Sequence, residues 1–231
     1  MQSGGKVAKK RDPALDLVRI FALITVISVH FFLHTDWYYQ EVTGPKMLFL
    51  VTVRQFFMIC VPLFMVLTGF LMSRKELNRD YYKKIGHTIA TYLLASLACV
   101  LYRNLLTPNP LDLYSTVSAF FSFSAAPYGW YIEMYIGLFL LIPFLNLIWR
   151  NLKNRRQHLV LIGTLILLAS LPTLTNIINF QGFFSGAKIL NIDENLQILP
   201  DYWGGLYPLM YYFIGCFLRE YKPKLKIRTN L

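Results

Sequence analysis

Six long apolar segments take up most of this chain and constrain its fold more than any other feature. They lie near residues 14–34, 47–72, 86–106, 128–149, 158–178 and 203–219. A transmembrane helix needs about 17–25 mostly apolar residues, so each segment is long enough to cross a bilayer. Only 15% of the residues are charged, whereas soluble domains average about 25%. The sequence therefore predicts an all-α, polytopic bundle of about six transmembrane helices in a single membrane domain, 1–231.

Lysine and arginine are concentrated in alternate connections between these segments. Of the 23 such residues, eighteen lie before the first segment, after the second, after the fourth and at the end of the chain, and only three lie in the other connections. Connections rich in lysine and arginine stay on the cytoplasmic side. We therefore expect a cytoplasmic N-terminus (1–13) and a basic cytoplasmic tail (220–231). The net charge of +11 then reflects topology, and we expect the bilayer, not nucleic acid, as a partner.

The first apolar segment has a well-defined start. Asp12 suits an N-cap and Pro13 suits the first helical position, where a missing N–H costs nothing. Asp16 precedes Arg19 by three residues, so the two side chains can form an ion pair. The segment is longer than the apolar region of a signal peptide, and no small-x-small cleavage site follows it. We interpret it as a retained transmembrane helix.

Arg19 and His30 are ionisable residues inside this first segment. At about 100° per residue, their spacing of eleven brings them within about 20° on one helical face, separated by roughly 16 Å along the axis. A cytoplasmic N-terminus places Arg19 roughly 8 Å into the membrane and His30 roughly 24 Å. Because charge inside a membrane is costly, such residues indicate a functional site by default.

The chemistry of this pair allows a functional and a structural interpretation. Imidazole suits general-base catalysis near neutral pH, and the guanidinium of Arg19 suits binding of phosphate or carboxylate. Alternatively, Arg19 extends to the cytoplasmic surface while His30 hydrogen-bonds to another helix.

Metal binding is not indicated. His34 shares the face of His30, and two histidines four residues apart can form half of a metal site. No third ligand is apparent, so we favour an interfacial histidine and expect no metal. Cys60, Cys99 and Cys216 all lie in apolar segments, at spacings that indicate neither a disulfide nor a metal site.

Other polar residues lie within or beside the later segments. Arg54 lies in the outer half of the second segment, where we expect it to pair with Glu133 or Asp36 or to line a polar cavity. Glu133 could also orient a histidine, although we favour a structural role. Lys84 and His87 begin the third segment beside a basic cluster, where a solvated or lipid-facing position is favoured. Segment 111–125 is too short and polar to span the membrane, which indicates an interfacial or re-entrant element on the outer side.

Several motifs resemble those of one known family. The stretch ALDLVRIFALITVISVHFF, with Asp16, Arg19 and His30, resembles the first helix of the acyltransferase 3 family of bacterial inner-membrane acyltransferases. VPLFMVLTGFLMSR resembles the second helix of that family. GWYIEMYIGLFLLIPFLN, which includes Trp130 and Tyr131, and YPLMYYFIGCFL resemble later helices. The resemblance covers most of the chain.

The resemblance implies an acetyl-CoA-dependent O-acyltransferase of the bacterial inner membrane. Such an enzyme moves acetyl, or a similar acyl group, from cytoplasmic acyl-CoA to a hydroxyl of a cell-surface carbohydrate or lipid-linked glycan. Acyl-CoA is then a donor substrate, and no bound cofactor is expected. The expected role is polysaccharide modification in the cell envelope.

The family's functional residues carry over position by position. The resemblance makes His30 the catalytic base and Arg19 its partner in donor binding or positioning. Lys84 and His87 have the spacing of the Arg-x-x-Arg pair that many members carry before the third helix. The residues with expected donor-binding or supporting roles are Asp16, Lys84, His87, Arg54, Glu133 and Trp130.

Members of this family usually have about ten spans, so we expect this chain to be a partial or truncated member that lacks the C-terminal spans. Two other functions stay open at this point. One is a non-catalytic membrane subunit, and the other is a transport domain whose intramembrane charges line a pathway.

Overall fold

The computed structural model describes residues 12–35, 39–40, 43–177 and 201–222. Regular structure within these residues is entirely helical, with no strand. A short 3-10 turn at Gly204–Leu206 precedes the last helix. The α-helices of the described residues are α1 (Pro13–Leu33), α2 (Gly44–Phe57), α3 (Cys60–Met72), α4 (Arg79–Tyr82), α5 (Ile85–Leu106), α6 (Leu113–Phe121), α7 (Trp130–Asn151), α8 (Arg155–Ile177) and α9 (Tyr207–Tyr221).

Five helical stretches of the described chain are long and apolar enough to cross a membrane. These are Pro13–Leu33, Gly44–Met72, Arg79–Leu106, Trp130–Asn151 and Arg155–Thr175. The all-helical membrane fold is therefore confirmed, and the first five predicted segments agree with it.

The sixth predicted segment is shorter than expected. It forms α9, whose 15 residues fall below the length of about 17–25 that a spanning helix needs. Prolines limit the helix at both ends. Pro208 occupies its second position, and Pro223 follows Lys222, whose positive φ of 38° already departs from the helix. A residue before proline is disfavoured in helical conformation.

The second predicted segment is divided into α2 and α3 by a turn at Met58 and Ile59. Pro62 removes one helical hydrogen bond at this turn, because proline has no N–H to donate to the carbonyl four residues earlier, that of Met58. The thiol of Cys60 approaches that carbonyl oxygen at 3.9 Å as a weak donor. Helical hydrogen bonding resumes immediately, since the Leu63 N–H donates to the Ile59 carbonyl at 3.0 Å.

The described residues group into two compact units, drawn from Met1–Leu71 with Ile214–Leu231 and from Met72–Phe213. In the first unit, α1 packs on α2 through aromatic pairs. The rings of Phe21 and Phe56 meet edge to face at 6.2 Å, and those of Phe32 and Phe57 lie 6.4 Å apart. The buried face of α1 consists of Ala22, Thr25, Val29 and Phe32.

Glycine lets α9 approach α3 closely within the same unit. A Cβ added at Gly215 would lie 2.1 Å from the Val66 carbonyl oxygen and 2.9 Å from the Gly69 Cα. Small residues that bring backbones together are typical of helix packing in membranes. One turn further along α9, Arg219 donates from Nη1 to the Leu71 carbonyl at 3.1 Å, which satisfies an end carbonyl of α3.

The second unit is built around α7, which contains Pro143 in its buried interior. Proline leaves the carbonyl four residues earlier, that of Phe139, without its helical donor. The Tyr81 hydroxyl of α4 donates to that oxygen at 2.6 Å, and its ring stacks on the Phe139 ring at 4.3 Å. The side chain of Tyr81 thus replaces the hydrogen bond that Pro143 removes.

A buried polar cluster lies further along α7. The Asn146 side chain is fully buried; its Nδ2 donates to the Met72 carbonyl at 2.9 Å and to the Lys75 carbonyl at 2.8 Å. Its Oδ1 accepts from the Tyr212 hydroxyl at 2.6 Å. One amide therefore ties α7 to the end of α3, the turn after it and the start of α9.

The segment predicted not to span the membrane contains α6, a helix of only 9 residues. Asp112 caps it, since its carboxylate accepts from the Ser115 N–H at 2.9 Å. The Tyr92 hydroxyl of α5 donates to the Phe120 carbonyl at 2.9 Å, and the rings of Tyr92 and Phe123 stack at 4.6 Å. These contacts hold α6 against α5.

Candidate functional site

Local capping and an ion pair organise the start of α1. The Asp12 carboxylate accepts from the Ala14 N–H at 3.0 Å, and Pro13 is the first helical residue, as predicted. One turn later, Arg19 Nη1 lies 2.6 Å from the Asp16 carboxylate. The predicted ion pair is therefore present, and it occupies one of the five N–H donors of the guanidinium.

The Arg19 side chain is partly exposed, at 45%. The remaining guanidinium donors can therefore meet an anion, and a guanidinium can do so with two parallel hydrogen bonds to phosphate or carboxylate. An exposed ion pair adds only about 0–1 kcal/mol to stability. Its main effect is to orient the guanidinium.

His30 is half-buried near the end of α1, and its Nδ1 lies 2.8 Å from the Val26 carbonyl oxygen. A carbonyl only accepts hydrogen bonds, so Nδ1 carries the proton of the neutral ring. The lone pair is then on Nε2, which is the atom able to take up a proton. The hydrogen bond made by one ring nitrogen of a histidine determines which tautomer is present, and this contact does so for His30.

α1 is unbroken from Pro13 to Leu33, so the helical spacing of Arg19 and His30 applies. They lie on one face, roughly 16 Å apart along the axis. A guanidinium that can bind an anion and an imidazole that can accept a proton therefore lie at two positions along one face of α1.

Three further residues that the sequence analysis named lie at the end of α1, just after it, or on α2. His34 is exposed at the C-cap of α1. Arg54 lies half-buried in the last turn of α2. Asp36, one expected partner of Arg54, lies outside the described residues.

The remaining predicted residues belong to the second unit and begin two of its helices. Lys84 is the N-cap of α5 and His87 lies in its first turn, and both are exposed. Trp130 is the first residue of α7, and Glu133 lies in the first turn of that helix, exposed. In the part of the chain that the structure describes, no ion pair joins these four residues.

His158 is a buried histidine that the sequence analysis did not single out. Only 3% of it is exposed, its Nε2 donates to the Trp149 carbonyl at 3.0 Å, and its ring stacks on the Trp149 indole at 3.8 Å. These contacts join the end of α7 to the start of α8, which is a structural role. The available signal was its position in the first turns of α8, four residues after the short connection 152–154.

The described chain is thus an all-helical membrane protein whose first helix carries an oriented arginine and a histidine of fixed tautomer. A family model described as an acyltransferase domain matches residues 12–231. The chain belongs to this family, the acyltransferase 3 family. No curated protein and no solved structure matches the chain significantly. The family expected from the sequence motifs is confirmed, and with it the general class of membrane acyltransferase.

Proposed function

We propose that this protein transfers acetyl, or a similar acyl group, from cytoplasmic acyl-CoA to a hydroxyl of a cell-surface carbohydrate or lipid-linked glycan. Membership of an acyltransferase family supports the reaction class. The observation that carries the assignment of residues is the hydrogen bond from His30 Nδ1 to the Val26 carbonyl, because it leaves the lone pair on Nε2.

His30 acts as the general base in this proposal. Nε2 removes the proton of the acceptor hydroxyl while its oxygen attacks the carbonyl carbon of the thioester. The tetrahedral intermediate collapses with cleavage of the carbon–sulfur bond. The coenzyme A thiolate leaves and takes the proton from the imidazolium, so that the ester and free thiol are formed and His30 returns to its starting state.

Arg19 binds the donor. Its ion pair with Asp16 at 2.6 Å orients the guanidinium, and the remaining donors bind an anionic group of coenzyme A. The arm of the thioester then extends along the face of α1, over the roughly 16 Å that separate Arg19 from His30. Lys84 and His87 are further proposed donor-binding residues, while Arg54, Glu133 and Trp130 have proposed supporting roles.

The proposed membrane is the bacterial inner membrane, with both termini in the cytoplasm. The asymmetric distribution of lysine and arginine supports this orientation. It puts Arg19 towards the compartment that contains acyl-CoA and His30 towards the compartment that contains surface glycans.

The test uses membranes that contain the full chain, radiolabelled acetyl-CoA and the glycans of the native cell surface. We expect His30→Ala to lower transfer by about 10²–10⁴-fold, the usual contribution of a general base. Arg19→Lys should raise the KM for acetyl-CoA, because lysine cannot form the two parallel hydrogen bonds of arginine.

His34→Ala is the matched control, since His34 is an exposed histidine one turn further along the same helix, and it should retain transfer. Insertion of each variant is checked by its amount in washed membranes. Full transfer by an inserted His30→Ala variant would contradict the proposal. Solute uptake without acyl transfer by the wild type would favour the transport function instead.

A further inference from the structure

A cavity of about 250 Å³ opens in the second unit between the end of α5 and the α6 segment. Its polar lining comes from Arg103 on α5 and from Tyr114, Ser115, Ser118 and Ser124 in or beside α6. The volume lies just below the range of about 300–1,000 Å³ typical of small-molecule sites. Such a space suits one sugar ring better than a larger ligand.

Arg103 supplies the positive charge of this cavity. Its Nε donates to the Asn109 carbonyl at 3.2 Å, which holds the guanidinium in place. Within the described residues Arg103 forms no ion pair with a carboxylate. The two terminal nitrogens of its guanidinium can therefore bind a carboxylate or phosphate from a ligand.

The carboxylate of Asp112, the N-cap of α6, is already engaged. The side chain and backbone of Ser115 both donate to it, and these hydrogen bonds hold the pKa of Asp112 below its usual value. A carboxylate at a helix N-terminus is stabilised by the unpaired N–H groups there. Asp112 therefore serves the start of α6 and leaves Arg103 to a ligand.

Hydroxyl groups line the rest of the cavity wall. Ser124 Oγ lies 2.9 Å from Ser122 Oγ, and Ser118 projects from the middle of α6. Hydroxyls both donate and accept hydrogen bonds, so they suit the hydroxyls of a sugar.

Ser96 is a further polar residue on the face of α5 that contributes to the cavity. Ser96 lies four residues before Val100 and seven before Arg103, which puts the three on one helical face. Ser96 is fully buried, and its Oγ has no hydrogen-bond partner among the described residues. A buried polar group without a partner is costly, and this one lies one turn deeper than a residue of the cavity wall.

We propose that this cavity binds an anionic sugar residue, with its carboxylate or phosphate on Arg103 and its hydroxyls on the serines of α6. The inference rests on the proposed function, in which such a sugar is part of the acyl acceptor. Arg103 lies sixteen residues after His87 on α5, roughly 24 Å along the axis. The sugar site and the proposed donor-binding residues Lys84 and His87 are thus at opposite ends of this helix.

Calorimetric titration of the full chain in detergent tests the inference with three probes. Glucuronic acid carries a carboxylate, glucose 1-phosphate carries a phosphate, and glucose carries neither. We expect at least one anionic probe to bind at least about ten-fold more tightly than glucose, a difference of about 1.4 kcal/mol. The anionic probe that binds more tightly identifies the kind of acidic group.

Arg103→Gln should abolish this preference, while Arg74→Gln, which changes an exposed arginine of the turn after α3, should retain it. Ser118→Leu fills the cavity and should weaken binding of all three probes. Equal binding of glucose and the anions, or an unchanged preference in Arg103→Gln, would overturn the inference. Because binding is measured without acyl transfer, an inactive wild type that still prefers the anions would contradict the proposed function alone.

Discussion

Asn146 is a buried amide whose polar atoms are matched by three partners from distant parts of the chain. Both hydrogens of Nδ2 are used by the carbonyls of Met72 and Lys75, and Oδ1 accepts from the Tyr212 hydroxyl. Its partners lie 66 to 74 residues away in sequence. A buried polar group that is fully paired specifies one arrangement of the elements around it.

Asn146→Ala should therefore destabilise the protein strongly. It leaves a buried tyrosine hydroxyl and two carbonyls without their partner, and each such group costs about 1–3 kcal/mol. The measurement is the midpoint of thermal unfolding in detergent.

Asn151→Ala is the matched control for that substitution. Asn151 is exposed on the same helix and donates only to the carbonyl of Leu147, one turn away, at 2.7 Å. We expect it to lower the midpoint much less than Asn146→Ala. Equal losses of stability would show that the buried cluster contributes nothing specific.

At the scale of single residues, local contacts are the ones that can be predicted from the sequence. The pairing of Asp16 with Arg19 depends only on a spacing of three residues within one helix, and it is present at 2.6 Å. The bond between Tyr212 and Asn146 depends on how distant helices pack. In the sequence, Asn146 is only a polar residue within an apolar segment, which does not reveal its partners.

At the scale of helices, the positions of prolines are the places where the structure has to be compared with the predicted continuous segments. Apolar length located the spanning helices, since length and composition suffice to define a transmembrane segment. Pro62 coincides with a break between α2 and α3, whereas Pro143 lies inside an uninterrupted α7. At Pro143, the Tyr81 hydroxyl donates to the carbonyl that the proline leaves without its helical donor. A sequence pattern does not contain this information.

Tyr81→Phe removes that donor and should cost about 1–3 kcal/mol, because the buried Phe139 carbonyl is left without a hydrogen bond. The loss should shrink in a Pro143→Ala background, because an alanine N–H can donate to the same carbonyl. Unfolding of the two single variants and the double variant by denaturing detergent measures this coupling.

Tyr82→Phe provides the comparison, since the Tyr82 hydroxyl makes a longer, exposed hydrogen bond of 3.3 Å to the Leu140 carbonyl. It should change stability little in either background. Additive effects of Tyr81→Phe and Pro143→Ala would contradict the proposed compensation.

Over the whole molecule, charge distribution and apolar length were enough to predict the class of protein, and the motifs were enough to predict the family. The sixth predicted span was harder to predict, because within the described residues α9 has only 15 residues and a hydropathy pattern ignores the prolines near its ends. The cavity beside α6 was also not predicted. It depends on how Tyr92 holds that short helix against α5, which is a contact between elements.

The orientation of the whole chain in the membrane can be tested with single cysteines. The background is a variant in which Cys60, Cys99 and Cys216, the three cysteines of the chain, are replaced by alanine. Asn109→Cys then probes the connection after α5, and Lys153→Cys probes the basic connection between α7 and α8.

Basic connections remain in the cytoplasm. We therefore expect an impermeant maleimide to label Asn109→Cys in intact spheroplasts and Lys153→Cys only after lysis. The opposite labelling pattern would reverse the proposed topology, and with it the assignment of Arg19 to the donor side and of the Arg103 cavity to the acceptor side.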